Sequence, residues 1–389
     1  MIELLAKRFI RNYEDVGDAE VRSAYGTLCG AVGIVLNIIL FIIKFAAGTL
    51  AGSIAMVADA FNNLSDAGSS VITLLGFKLA NKKPDADHPF GHGRIEYISG
   101  LIVSMLILLM GFELFKSSFE KIRDPEPITF SFLAVGVLVA AILVKFYMSA
   151  YNRRIGKKIK SPAMAATATD SLSDCIATGA VLASTVISGV AHINVDGYAG
   201  LIVACFILFA GYNAAKDTLS PLLGQPPEPE LVHEIESIVL EQKNIVGIHD
   251  LVVHDYGPGR VMISLHAEVP AHMDVLELHD EIDCAEEELR RVLHCEATIH
   301  MDPIVTDDPK VAELRQETLR VLCGGLDERI TIHDFRLVPG PTHTNVLFDA
   351  VLPYDVKLTE EEAKLEIAKL VKTIDPSYFA VVHIDRAYV

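Results

Sequence analysis

Apolar residues fill the first 224 positions in six long runs, at about 25–48, 53–80, 95–117, 128–151, 162–188 and 195–222. At the helical rise of about 1.5 Å per residue, each run is long enough to cross a bilayer hydrocarbon core of about 30 Å. The pattern changes after the Pro-rich stretch Leu223-Gly224-Gln225-Pro226-Pro227-Glu228-Pro229-Glu230. A helical period over 230–243 gives way to alternation over 247–256 and 260–269 around Gly257-Pro258-Gly259, then to a helical period over 274–293 and a strand at 296–302. The same order returns at 308–322, 330–338, 343–352, 358–373 and 379–387. These periods predict a membrane α-helical bundle of six transmembrane helices, followed by an α+β part of α-β-β-α-β order in two tandem copies. In each copy a small open sheet is covered by helices on one face. The expected boundaries are 1–24, 25–224, 225–305 and 306–389.

Charge sharpens this division. Residues 227–389 hold 33 acids and 14 bases, a net of −19, whereas residues 1–226 come to +1. A surface of that sign excludes nucleic acid as a partner and attracts cations. The bases of the first part cluster at Lys7, Arg8, Arg11 and Arg22, at Lys78, Lys82, Lys83 and Arg94, and at Arg153, Arg154, Lys157, Lys158 and Lys160. All three clusters fall on one side of the predicted bundle, which places both termini in the cytosol and the protein in a membrane as a multi-pass protein. The first 24 residues carry charges throughout and read as an amphipathic lead-in without the apolar core of a signal peptide. Six cysteines without a CxxC pair give neither a thiolate zinc cage nor a disulfide framework.

The second and fifth runs are the least apolar, and they carry Asn62-Asn63-Leu64-Ser65-Asp66 and Asp170-Ser171-Leu172-Ser173-Asp174. Spacings of four set Asn62 beside Asp66, and Asp170 beside Asp174, on one helix face. An unpaired charge at membrane depth costs about 3 kcal/mol or more, so such residues face a cavity, a partner or an ion path. Packing glue between polar helix faces accounts for Asn62 or Ser173, but three acids with no Lys or Arg in either segment repel one another unless a cation joins them. Because the two runs are antiparallel, the four side chains are expected to meet at one depth as a transport site. Asp59, seven residues before Asp66, either lines the exit path or sits in a wet vestibule. The loop Asp85-Ala86-Asp87-His88-Pro89-Phe90-Gly91-His92-Gly93-Arg94 offers a second ligand set in Asp85, His88 and His92. No nucleophile-base arrangement or phosphate loop points to an enzyme.

The run from Ala58 to Asp66, the loop from Asp87 to Glu96 and the run from Ala168 to Asp174, in this order, resemble the cation diffusion facilitator family over roughly residues 10 to 305. The resemblance implies a homodimeric divalent-metal/proton antiporter in the lipid bilayer of the plasma (inner) membrane, exporting metal from the cytosol by alternating access. Its ferredoxin-like cytosolic domain would hold metal on His249, His266, His279, His300 and Asp302. Rocking of the bundle would draw on Gly48, Gly52 and Gly68 for close helix approach.

The second copy repeats ligand-type residues. Ile-His-Asp occurs at His249 and His333, 84 apart, and His-x-Asp at His300/Asp302 and His383/Asp385, 83 apart; the same shift carries His266 and His279 to Asp349 and Glu362. Metal binding by His333, Asp349, Glu362, His383 and Asp385 stands against a purely structural or dimer-extending duplicate in this acidic region. As for the ion, carboxylate and amide oxygens suit Mn²⁺, whereas zinc favours imidazole and thiolate, with Fe²⁺, Zn²⁺, Co²⁺ and Cd²⁺ remaining open. Zinc-transporting relatives place His in one or both motifs, so Asn62, Asp66, Asp170 and Asp174 resemble the manganese-type branch. A metal-gated channel and a membrane-anchored metal sensor are the readings from other classes.

Overall fold

The computed structural model describes residues 2–16, 18–51, 54–124, 132–191, 195–305 and 308–387. They divide into two units, Met1–Gln225 with Asp255–Arg260, and Pro226–His254 with Val261–Val389.

In the first unit a short helix α1 (Ile2–Phe9) precedes six long ones: α2 (Ala19–Ala51), α3 (Ile54–Ala80), α4 (Ile95–Arg123), α5 (Phe132–Lys158), α6 (Pro162–Ala191) and α7 (Asp196–Leu223). Among the described residues, four of them contain segments long and apolar enough to cross a membrane: Glu20–Thr49, Ile95–Arg123, Val135–Lys158 and Gly197–Leu223. The remaining two, α3 and α6, carry the polar motifs. Helix α2 packs on α3, α4 on α7 and α5 on α6, while α4 and α6 also meet.

Small residues permit these contacts. A Cβ on Gly30 would come within 2.9 Å of the Leu74 Cβ, and one on Gly100 within 2.9 Å of the Ala163 Cα. At Gly68 a Cβ would meet nothing within 4 Å, which corrects the expectation that this glycine serves close helix approach. Gly52 lies outside the described residues. Helix α7 ends where Gly224 turns left-handed at φ +89°, a conformation open to a residue without Cβ, ahead of Pro226 and Pro227.

The second unit contains α8 (Pro229–Leu240), β1 (Gly247–Asp255), β2 (Val261–Pro270), α9 (Val275–Leu293) and β3 (Glu296–Ile304), then α10 (Pro309–Gly325), β4 (Thr331–Pro339), β5 (Thr344–Pro353), α11 (Glu360–Ile374) and β6 (Tyr378–Ala387). Two three-stranded sheets form, ordered β1-β2-β3 and β4-β5-β6, with β2–β3 and β5–β6 parallel and β4–β5 antiparallel. Each sheet has its own core. Ile263, Leu265, Ala267 and Val269 of β2 pack with Ile235, Val239, Leu278 and Leu289 of the helices. Val346, Phe348, Ala350 and Leu352 of β5 pack with Leu322, Ile367 and Val371. Strand side chains alternate, so the residues between these, His266 and Asp349 among them, stand on the face away from the helices.

Candidate metal sites

The first site lies inside the helical unit. The ammonium Nζ of Lys145, from α5, donates to Asp66 Oδ2 of α3 and to Asp174 Oδ2 of α6, each at 2.7 Å. The Lys145 side chain is only 4% exposed. Asp170 is buried one turn before Asp174, within electrostatic reach of Asp174, Asp66 and Lys145. Carboxylates from two helices therefore converge on one shared cation.

Two contacts go beyond the sequence expectation here. The cation that keeps the acids from repelling one another is supplied by the chain itself, from a third helix. Its signal was present: Lys145 is a lone ammonium inside the apolar run Val137 to Tyr151, and such a residue marks a functional position. The amide beside Asp66 is Asn63, whose Nδ2 donates to Asp66 Oδ2 at 3.2 Å and whose Oδ1 is buried without a partner. Asn62, the i, i+4 neighbour that helix periodicity singles out, is exposed, while the i, i+3 neighbour Asn63 makes the hydrogen bond. The side chain of Asp59 lies outside the described residues.

The loop between α3 and α4 gathers Asp85, His88 and His92, whose ligand atoms lie within 4.8 Å of one another. Asp85 faces His88 Nδ1 at 3.4 Å and His92 Nε2 at 3.5 Å. Lys82 also donates to Asp85 Oδ2 at 2.6 Å. That bond, with the backbone N–H of His88, holds the Asp85 carboxyl well below the usual carboxylate range.

In the second unit, His249, His266 and Asp302 form a compact set. His266 Nδ1 lies 2.8 Å and His249 Nε2 3.2 Å from Asp302 Oδ2. The parallel register aligns His266 with His300, whose Nε2 is 3.3 Å from Asp302 Oδ1. Burial opposes the charged form of His249, but the Asp250 carboxylate outweighs it and raises the imidazole above its ordinary value. His279 lies apart from this set within the chain, exposed on α9 and facing Asp283 at 3.4 Å.

The later strands arrange the corresponding residues in the same way. Asp349 aligns with His383 across β5–β6 and with His333 across β4–β5. Asp349, His383 and Asp385 form one candidate set, and Asp385 Oδ2 also lies 3.5 Å from His333 Nε2. Burial raises the Asp349 carboxyl. Glu362 is excluded because its Oε2 accepts from the backbone and hydroxyl of Thr359, closing the capping box at the start of α11.

Comparison with known proteins identifies the frame. Residues 31–223 match the cation efflux transmembrane domain, and residues 227–304 match the cation efflux protein cytoplasmic domain. An uncharacterized transporter of Methanocaldococcus jannaschii is 31% identical over 272 residues, 70% of this chain and 96% of its own. The cation-efflux pump FieF of Yersinia enterocolitica is 29% identical over 273 residues, 69% of this chain and 90% of its own. FieF of Escherichia coli K12 is 27% identical over 287 residues, 73% of this chain and 95% of its own. With apolar membrane helices, a cytoplasmic dimerisation domain and clustered ligand residues in hand, the chain belongs to the cation efflux family, whose members are transporters of divalent metal cations and not enzymes.

Proposed function

We propose that the protein is a homodimeric divalent-cation/proton exchanger with six transmembrane helices and cytosolic termini, exporting Mn²⁺ from the cytosol across the plasma membrane. The observation that carries this reading is the convergence of Asp66 and Asp174, on antiparallel helices, upon one buried cation. A place that binds an ammonium between two carboxylates also suits a dication, which the further charge of Asp170 favours. The donors are oxygens of Asp66, Asp170 and Asp174 with the Asn63 amide, a set that suits Mn²⁺ better than Zn²⁺. Fe²⁺ shares this preference only in part, being well served by imidazole too.

Transport then rests on competition. Metal, proton and the Lys145 ammonium all seek the same carboxylates, so arrival of a dication expels the ammonium and any bound protons. Exposure of the site to the outer side, where protons are plentiful, reverses the exchange. Rocking of the helices supplies that exposure, with the close α2–α3 and α4–α6 contacts as rigid seams. The loop set Asp85, His88 and His92 provides a waiting place for incoming ions, and the cluster on β1–β3 reads cytosolic metal. Residues 306–389 are read as a duplicate of the α-β-β-α-β domain.

Initial uptake of Mn²⁺ and Zn²⁺ into proteoliposomes, with and without a transmembrane pH gradient, tests the reading. We expect Mn²⁺ to be taken up faster than Zn²⁺ and the gradient to drive both. Flux indifferent to the gradient would instead mark a channel, and metal binding without flux a sensor.

A further inference from the structure

The two clusters of the second unit are not separate. His249 of β1 and His333 of β4 stack with ring centroids 4.0 Å apart and an interplanar angle of 21°. Their side chains are 5% and 8% exposed, and neither ring nitrogen of either residue has a hydrogen-bond partner. Asp250 stands between the clusters. Its Oδ2 lies 3.4 Å from His249 and 3.9 Å from His266, while its Oδ1 lies 3.8 Å from His333. The exchange is mutual: Asp334 of β4 joins His249 and His333 within 4.8 Å, as Asp250 joins His333 and Asp385.

A backbone feature makes this crossing happen. Asp250 and Asp334 hold φ of 53° and 54°, the left-handed region that few residues other than glycine adopt. In β4 the ladder register shifts between His333 and Arg336. Core contacts in both copies skip from Ile248 to Leu251 and from Ile332 to Phe335, three residues apart where a regular strand allows two. Such a bulge lets two successive side chains, His then Asp, leave the core on one face. It occurs 84 residues apart in the two copies and aims both pairs at one place.

The four buried ring nitrogens make no well-formed hydrogen bond, although Asp302, Asp250 and Asp385 lie 3.2–3.5 Å from three of them, and each group left unsatisfied costs about 1–3 kcal/mol. In a neutral ring one N–H can donate to a carboxylate but the other nitrogen finds no donor, and protonating both stacked rings sets like charges face to face. Divalent cations satisfy rings and carboxylates together. From this geometry we infer a joint two-ion centre between the α-β-β-α-β copies, with Asp250 bridging an ion on His249, His266 and Asp302 to a second on His333 and Asp385. Mixed imidazole and carboxylate donors select a borderline first-row dication, Zn²⁺, Co²⁺ or Fe²⁺, over Mn²⁺. The centre clasps the two copies of a single chain to each other. It deepens the proposed cytosolic metal response but does not require the transport site.

The test is Co²⁺ titration of the purified full-length protein in detergent, followed by the visible ligand-field bands that His-bound Co²⁺ gives and by direct counting of bound metal. His333→Ala is expected to remove one Co²⁺ per chain. It should also weaken the ion on the His249 set about tenfold or more, the loss typical when a ligand's support is removed. Asp250→Asn is expected to weaken both ions together. Because Asp250 is 40% exposed and Asn tolerates the left-handed region, that variant keeps the fold should His333→Ala lose it. His343→Ala, at the β4–β5 turn, should leave the titration unchanged. Wild-type ion count and affinity in both variants would overturn the inference, as would loss of one ion with the other's affinity untouched. Absence of flux in proteoliposomes would sink the exchanger reading and leave these counts standing.

Discussion

Lys145 sets the electrostatics of the proposed transport site. Its ammonium holds Asp66 and Asp174 at 2.7 Å, so the site is electrostatically filled before any metal arrives. At an effective dielectric near 20, a unit charge about 4 Å away is worth about 4 kcal/mol. Lys145→Gln is therefore expected to tighten Mn²⁺ binding more than about tenfold and to slow turnover, because release loses the ammonium that takes the ion's place. Equilibrium Mn²⁺ binding beside initial uptake rates would check this, and a variant unchanged in both would refute the competition. At this scale the chain was partly legible. Asp66, Asp170 and Asp174 announce themselves as acids in apolar runs, since burying charge is costly wherever it occurs. Which amide stands beside Asp66 did not follow, because i+3 and i+4 neighbours share a helix face and only tertiary packing chooses Asn63 over Asn62. Lys145 was visible as a lone ammonium in an apolar run, but the acids it meets were not, because they lie on other helices, far away in sequence.

Elements were the most legible level, because their periods are local. The observed β2 at Val261–Pro270 and α9 at Val275–Leu293 fall within a residue of the alternating and helical patterns over 260–269 and 274–293. The helix seams were less so. Gly68 met no neighbour, while Gly100 presses on the backbone of Ala163, and nothing in sequence tells which glycine of an apolar run faces another helix. Gly100→Ala must push α4 from α6, because the added Cβ would lie 2.9 Å from the Ala163 Cα and 3.2 Å from its nitrogen. We expect a loss of about 1–3 kcal/mol, the usual cost of overpacking, read as a lower thermal unfolding temperature in detergent; an unshifted transition would show that the seam yields freely. The left-handed Asp250 and Asp334 were legible only as a repeated Ile-His-Asp. A bulge is a backbone event, and composition does not announce it.

For the whole molecule, a helical part near neutrality is followed by 163 residues of net charge −19, a surface that gathers cations on the cytosolic side of the proposed exchanger. The family matches end at residue 304, so the strands β4 to β6 extend the matched layout. The repeat of ligand-type residues that supports the proposed duplication was visible in offsets of 83 and 84 residues, yet the stacking of His249 on His333 was not, because a contact between distant strands leaves no periodic trace. Everything proposed at larger scale returns to whether Asp66 and Asp174 carry the ion. The most direct measurement is Mn²⁺ uptake into proteoliposomes under an imposed pH gradient, for the wild type beside Asp66→Asn and Asp174→Asn, each first shown to fold. The account predicts gradient-driven uptake in the wild type and a loss of about a hundredfold or more in either variant, the scale on which removing a charged partner costs 3–5 kcal/mol. Uptake at the wild-type rate in either variant would contradict it.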